Sequence, residues 1–170
     1  MYSYYCAPKI DNDAFLLAKI TGWDKYNLIS GDANIFFEDT YVGKSYLNTI
    51  STNDTMDISL GRDKNVTVTR TKLVDFCEKK VIGLNKKETS TYEISIRNKK
   101  KDAIEIIVED QIPLSSNNEI VVEATETGKA EYDKVTGKLM WKLKMAPAET
   151  QKFKFGYTVK YPKDKILTNL

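Results

Sequence analysis

The run Lys138-Leu139-Met140-Trp141-Lys142-Leu143-Lys144-Met145 decides the fold class, together with the run from Thr150 to Tyr161 that follows after Ala146-Pro147-Ala148-Glu149. In the first, Leu139, Trp141, Leu143 and Met145 alternate with Met140, Lys142 and Lys144. In the second, Phe153, Phe155, Tyr157, Val159 and Tyr161 alternate with Lys152, Lys154, Gly156, Thr158 and Lys160. A period of two belongs to a strand with one face on a core and the other in water. A slip of one residue would carry lysines inward, so the register is strongly specified. Leu139, Trp141, Leu143, Phe153, Phe155 and Tyr157 are therefore expected inside.

The same pattern extends in both directions. Ile104, Ile106 and Val108 alternate with Glu105 and Glu109, and Tyr92, Ile94 and Ile96 alternate with Glu93 and Ser95. Turn residues punctuate these runs. Asn98 to Asp102 reads as a hairpin loop, and Ser115 to Asn118 and Thr136-Gly137 read the same way. Asp39-Thr40 suggests an earlier hairpin, and Gly61 to Asn65 separates Met56-Ile58-Leu60 from Val66-Val68. No window has apolar spacing of helical period and length. The expectation is an all-β antiparallel sandwich, either one body or two lobes. The boundary falls at a polar stretch, giving an N-terminal β lobe over 5–86, an immunoglobulin- or fibronectin-like lobe over 87–162, and a tail over 163–170.

Composition bounds the chemistry. The chain has 170 residues, 41% of them hydrophobic and 29% charged, which fits a globular domain able to bury about 70% of its extendable surface. A net charge of +2 is too balanced for the basic footprint of a nucleic-acid binder. No apolar run approaches the roughly 20 residues of a membrane-spanning helix, and no signal-peptide pattern follows Met1. Histidine is absent, which removes Ser-His-Asp and Cys-His nucleophile systems and most zinc sites. No cofactor or metal is expected. Cys6 and Cys77 could close one disulfide or remain two thiols.

The remaining candidates each have a bland reading. Asp110 is the best single carboxylate for acid–base work on a glycosidic bond, but the favoured reading is that it caps the turn before Pro113. Asp63 reads as turn chemistry, bonding nearby amides. Arg70 stands at a core parity and suits a buried carboxylate partner. Arg97 with Lys99-Lys100-Lys101 could contact phosphate, but a hairpin tip needs solvated residues anyway. Gly43-Lys44-Ser45 lacks the upstream glycine and following helix of a phosphate loop. Among the aromatics, Trp141 shares the parity of core residues. Trp23, Tyr26 and Tyr41 are the candidate binding residues, for a protein surface or a sugar ring.

The ordered series Tyr5-Cys6-Ala7-Pro8, Ala14 to Ile20, Trp23, Asn27 to Phe36, Tyr41 to Ser45, Leu60-Gly61-Arg62-Asp63, Val66 to Arg70, Asn98, Asp110-Gln111-Ile112-Pro113, Gly137 to Trp141 and Tyr161-Pro162 resembles the C-terminal domain of the mucoidy-inhibitor (MuiA-like) family, a bacterial domain of unknown function. The resemblance implies an N-terminal β domain and a coiled coil upstream, and a protein that is exported and periplasmic or envelope-associated. It carries no catalytic residues to transfer. The expected function is a non-catalytic interaction or structural module of a larger envelope protein, with a protein partner or self-association. The alternative is a carbohydrate-binding or glycan-cleaving domain using exposed aromatics and paired carboxylates.

Overall fold

A computed structural model describes residues 2–37, 39–49 and 55–165. Its twelve strands are β1 (Tyr2–Ala7), β2 (Asp11–Thr21), β3 (Gly31–Phe37), β4 (Thr40–Leu47), β5 (Thr55–Lys72), β6 (Glu78–Ile82), β7 (Asn85–Asn98), β8 (Ile104–Gln111), β9 (Val121–Glu126), β10 (Glu131–Tyr132), β11 (Lys138–Met145) and β12 (Thr150–Pro162). Among the described residues, helical structure is limited to two single 3-10 turns, Trp23–Tyr26 and Val74–Phe76. The fold is all-β. Residues 166–170 of the expected tail lie outside the described residues.

Ten strands make one sheet in the order β10-β11-β8-β1-β2-β5-β7-β12-β9, with β6 added beside β7. The sheet folds back on itself. Trp141 on β11 meets Phe153 and Phe155 on β12 at ring-centroid distances of 4.6 and 5.8 Å, although most of the sheet separates those strands. The layers are thus two arms of one sheet, enclosing Val66, Val68, Ile94, Ile96, Ile106, Val108, Leu139, Trp141 and Phe155 among others. Alternation sorts most side chains as read, but Gly156 and Thr158, expected on the water face, are buried between β7 and β9. Leu139, Trp141, Phe155 and Tyr157 are buried, Leu143 and Phe153 are half-buried against the core, and Lys142 is exposed.

The bend between the arms lies in β5. Its N-terminal part pairs with β2 and its C-terminal part with β7. Between the pairs Phe15↔Arg62 and Asp13↔Thr67, two steps on β2 oppose five on β5. Gly61 to Asn65 is therefore a bulge inside one continuous strand rather than a turn between two. Bulges bend and twist the strand that carries them, which is what a corner between layers needs.

Two more turn readings are corrected by the pairing. β7 and β8 are not partners, so Asn98 to Asp102 is a crossover between layers and not a hairpin. The fully buried Asn98 side chain donates to Asp102 O at 2.9 Å and Ala146 O at 3.0 Å, tying this crossover to the β11–β12 connection. Ser115 to Asn118 likewise leads from β8 to β9, in the other arm. Polar turn residues mark a reversal without saying whether the next strand pairs with the last. Thr136-Gly137 and Asp39-Thr40 do close hairpins, β10–β11 and β3–β4.

One pair departs from the antiparallel expectation. β1 runs parallel to β8, Tyr4 opposite Ile106, while also pairing antiparallel with β2. Strands from both sides of residue 86 consequently share the sheet. Period-two alternation carries no information on strand direction.

Candidate interaction surface

β3 and β4 form a separate two-stranded sheet that rests against β5, with Val42 close to Gly61. Alternation divides its faces. Ala33, Ile35, Phe37, Val42 and Leu47 are half-buried on the side toward the body, and Phe37 packs edge-on against Tyr2 at 6.0 Å. The outer face carries Asp32, Asn34, Phe36, Tyr41, Lys44 and Tyr46, all exposed. Cross-strand register sets Asp32 opposite Tyr46 and Asn34 opposite Lys44. Phe36 and Tyr41 are also opposite, with ring centroids 5.4 Å apart and planes tilted by 59°. Exposures of 66%, 52% and 63% for Phe36, Tyr41 and Tyr46 make this an aromatic face open to solvent.

Of the sequence candidates, Tyr41 lies on this face. Trp23 and Tyr26 lie in the 3-10 turn before the hairpin, Trp23 half-buried and Tyr26 71% exposed. Phe36 and Tyr46 were missed. Their parity with Asp32 and Asn34 on one strand and Lys44 on the other was readable, but it becomes one surface only once the hairpin register is known.

The carboxylate candidates are engaged elsewhere. Asp110, its side chain wholly buried, accepts Arg70 Nε at 2.7 Å and the Gln111 N–H at 2.8 Å. The Arg70 guanidinium also lies over the Tyr92 ring at 3.8 Å, so this arginine has the buried carboxylate partner its parity suggests. Asp63 takes the Asn65 N–H at 2.9 Å, as a turn residue should, and two further bonds that sequence did not reveal. Tyr4 OH donates to Asp63 Oδ2 at 2.7 Å, and Lys100 Nζ donates to both the Tyr4 oxygen at 2.8 Å and Asp63 Oδ2 at 2.9 Å. Lys100 is thus a latch between the crossover, β1 and the β5 bulge rather than a solvated tip. Burial pushes the Asp63 carboxyl upward, but the hydrogen bonds from Lys100 and Tyr4 outweigh it and hold it down at about 2.

Other groups are equally quiet. Cys6 and Cys77 are free thiols, and burial, with the charges of Asp11 and Asp13 added, pushes Cys6 up to about 12. Trp141 is 3% exposed and donates Nε1–H to Gly128 O at 2.9 Å, which places it in the core. Gly43-Lys44-Ser45 is strand β4, without a phosphate cradle. Among the described residues no cluster of three or more acidic or cysteine side chains could hold a metal.

A protein of Caenorhabditis elegans, Protein F37C4.5, is 24% identical over 169 aligned residues that cover 91% of this chain. The chain spans 30% of the length of that relative. No solved structure matches. Residues 15–163, nearly the whole strand framework just described, match the family described as "Domain of unknown function (DUF4139)", and to that family the chain belongs.

Proposed function

We propose that this domain is a non-catalytic interaction module that engages a second copy of itself through the outer face of the β3–β4 hairpin. The observation that carries the reading is the concentration of Phe36, Tyr41 and Tyr46 on a ribbon that pairs with no other strand among the described residues. The face also holds Asp32 and Lys44, so a copy related by a two-fold axis can set the anion of one against the cation of the other. Aromatic rings offer about 150–250 Å² each, so three rings at these exposures bring roughly 270–450 Å² per copy. That is below the ~800 Å² per partner of a standard stable interface, and it fits reversible association.

Two observations favour this over the carbohydrate reading. Sugar stacking calls for a row of coplanar rings, and Phe36 and Tyr41 are tilted by 59°. A glycan hydrolase needs a carboxyl kept protonated near neutral pH. Asp11, Asp63, Glu88, Asp133 and Glu149, the carboxylates that depart clearly from their ordinary values, all move downward. The wider setting comes with the mucoidy-inhibitor resemblance: one module of a larger protein, exported and envelope-associated.

Sedimentation velocity over a concentration series tests the proposal. The expected result is a reversible dimer that Phe36→Ser with Tyr46→Ser dissociates. A monomer at every concentration overturns it. Turnover of a polysaccharide or peptidoglycan, abolished by Asp110→Asn, would replace it with the enzymatic reading.

A further inference from the structure

A different part of the molecule has a shape that neither the core nor the β3–β4 hairpin explains. β6 and β7 form a hairpin whose tip is Val81-Ile82-Gly83-Leu84, with Gly83 at φ +60° to make the turn. Val81, Ile82 and Leu84 are 67%, 56% and 74% exposed. Immediately behind this apolar tip the register aligns lysines across three neighbouring strands. Lys80 of β6 lies opposite Lys87 of β7, and Lys87 lies opposite Lys160 of β12. Like charges directly opposite one another are destabilising in a sheet. The local carboxylates cancel only part of the row: Lys80 pairs with Glu78 at 2.7 Å, but Glu88 is taken by Lys79 at 3.0 Å, and Lys87 and Lys160 have no ion pair among the described residues. Lys86, one residue nearer the tip, adds a further cation over the Tyr161 ring.

We propose that this hairpin tip docks on an anionic phospholipid bilayer, with Val81, Ile82 and Leu84 entering the headgroup–acyl boundary and the lysine row lying against the anionic headgroups. Ile82 lies two residue steps beyond Lys80, about 7 Å along the strand. Apolar groups of interfacial segments bury ~5–10 Å deep, so tip and collar sit at the heights the two layers of the membrane require. Lysine stems can lie along the apolar boundary while the ammonium groups stay at headgroup level. A soluble polyanion would be met by the lysines alone and gives no role to three exposed aliphatic side chains. The backbone end of the tip is held, because Lys163 N–H donates to Leu84 O at 2.9 Å and ties the tip to the end of β12. This is attachment at a surface, and no helix among the described residues is long and apolar enough to cross a membrane. The site lies on other strands than the aromatic face, so either proposal can fail without the other.

Flotation of the chain with vesicles tests it, using phosphatidylcholine alone and a seven-to-three mixture of phosphatidylcholine and phosphatidylglycerol. The chain is expected to float with the mixed vesicles only, and to be released by high salt. Val81→Glu with Leu84→Glu should abolish flotation, and Lys87→Glu should weaken it roughly fivefold or more. Leu84→Ser is the milder variant if the double one loses its circular-dichroism spectrum. Failure to float with the anionic vesicles overturns the proposal. So does a folded tip variant that binds as well as wild type, since charge alone would then be responsible.

Discussion

Trp141 shows how much a single side chain can be asked to explain. Its ring is 3% exposed, packed at a tilt against Phe153 and Phe155, with its N–H on Gly128 O. Trp141→Ala should cost about 3–5 kcal/mol, read as a lowered denaturant midpoint. The parity of Leu139 and Leu143 made that burial legible in the sequence. Arg70 was legible in the same way, but its partner was not, because Asp110 lies forty residues away on another strand. Removing one member of a buried ion pair strands the other, so Arg70→Leu should cost ~3–5 kcal/mol, and adding Asp110→Leu should recover much of the loss. Denaturation of the single and double variants measures both. Asp63 gives a pH signature. Its folded pKa of about 2 lies under the ordinary 3.8, so the unfolded chain takes up the proton first as the solution is acidified. The stabilisation is complete above pH ~5 and fades as the pH falls through about 2. In Asp63→Asn the fall of stability over that range should be shallower; an unchanged acid limb would remove Asp63 from the account.

At the scale of elements, strands were easier to read than their connections. The alternation of β7, β8, β11 and β12 shows in the residues themselves, because burial of one face imposes it. Gly61 to Asn65 and Asn98 to Asp102 carry ordinary turn residues, and only pairing distinguishes a bulge or a crossover from a hairpin. The β10–β11 turn could be read directly, and it leaves a sharp test. Gly137 has φ +72°, and a Cβ there would lie 2.2 Å from Ile112 O, a backbone atom that cannot step aside cheaply. Gly137→Ala therefore combines left-handed strain with a collision and should lower stability by about 1–3 kcal/mol or more. Gly83→Ala is the control: its φ is +60° but nothing lies within 4 Å of the added carbon, so its cost should be the smaller. Thermal melting of the two variants settles the order.

For the whole molecule, the folded-over sheet makes a body with two differently exposed projections, the aromatic β3–β4 ribbon and the β6–β7 tip. Long-range placement of this kind, including the parallel β1–β8 pair, is invisible to local pattern because it depends on which distant strands meet. The absence of histidine pointed away from nucleophilic catalysis, and the ion pairs at Asp63 and Asp110 give those carboxylates structural partners. The central claim is that the ribbon's outer face meets a second copy. A cysteine placed at its middle tests this most directly: Asn34→Cys, compared with Val135→Cys on the β10–β11 turn, each in a Cys77→Ser background. Val135 is 84% exposed, so the control thiol is no less accessible. Under mild oxidation the account predicts a disulfide-linked dimer from Asn34→Cys at a much higher rate than from Val135→Cys, with the difference lost when Phe36 and Tyr46 become serine. Equal rates at the two positions would contradict it.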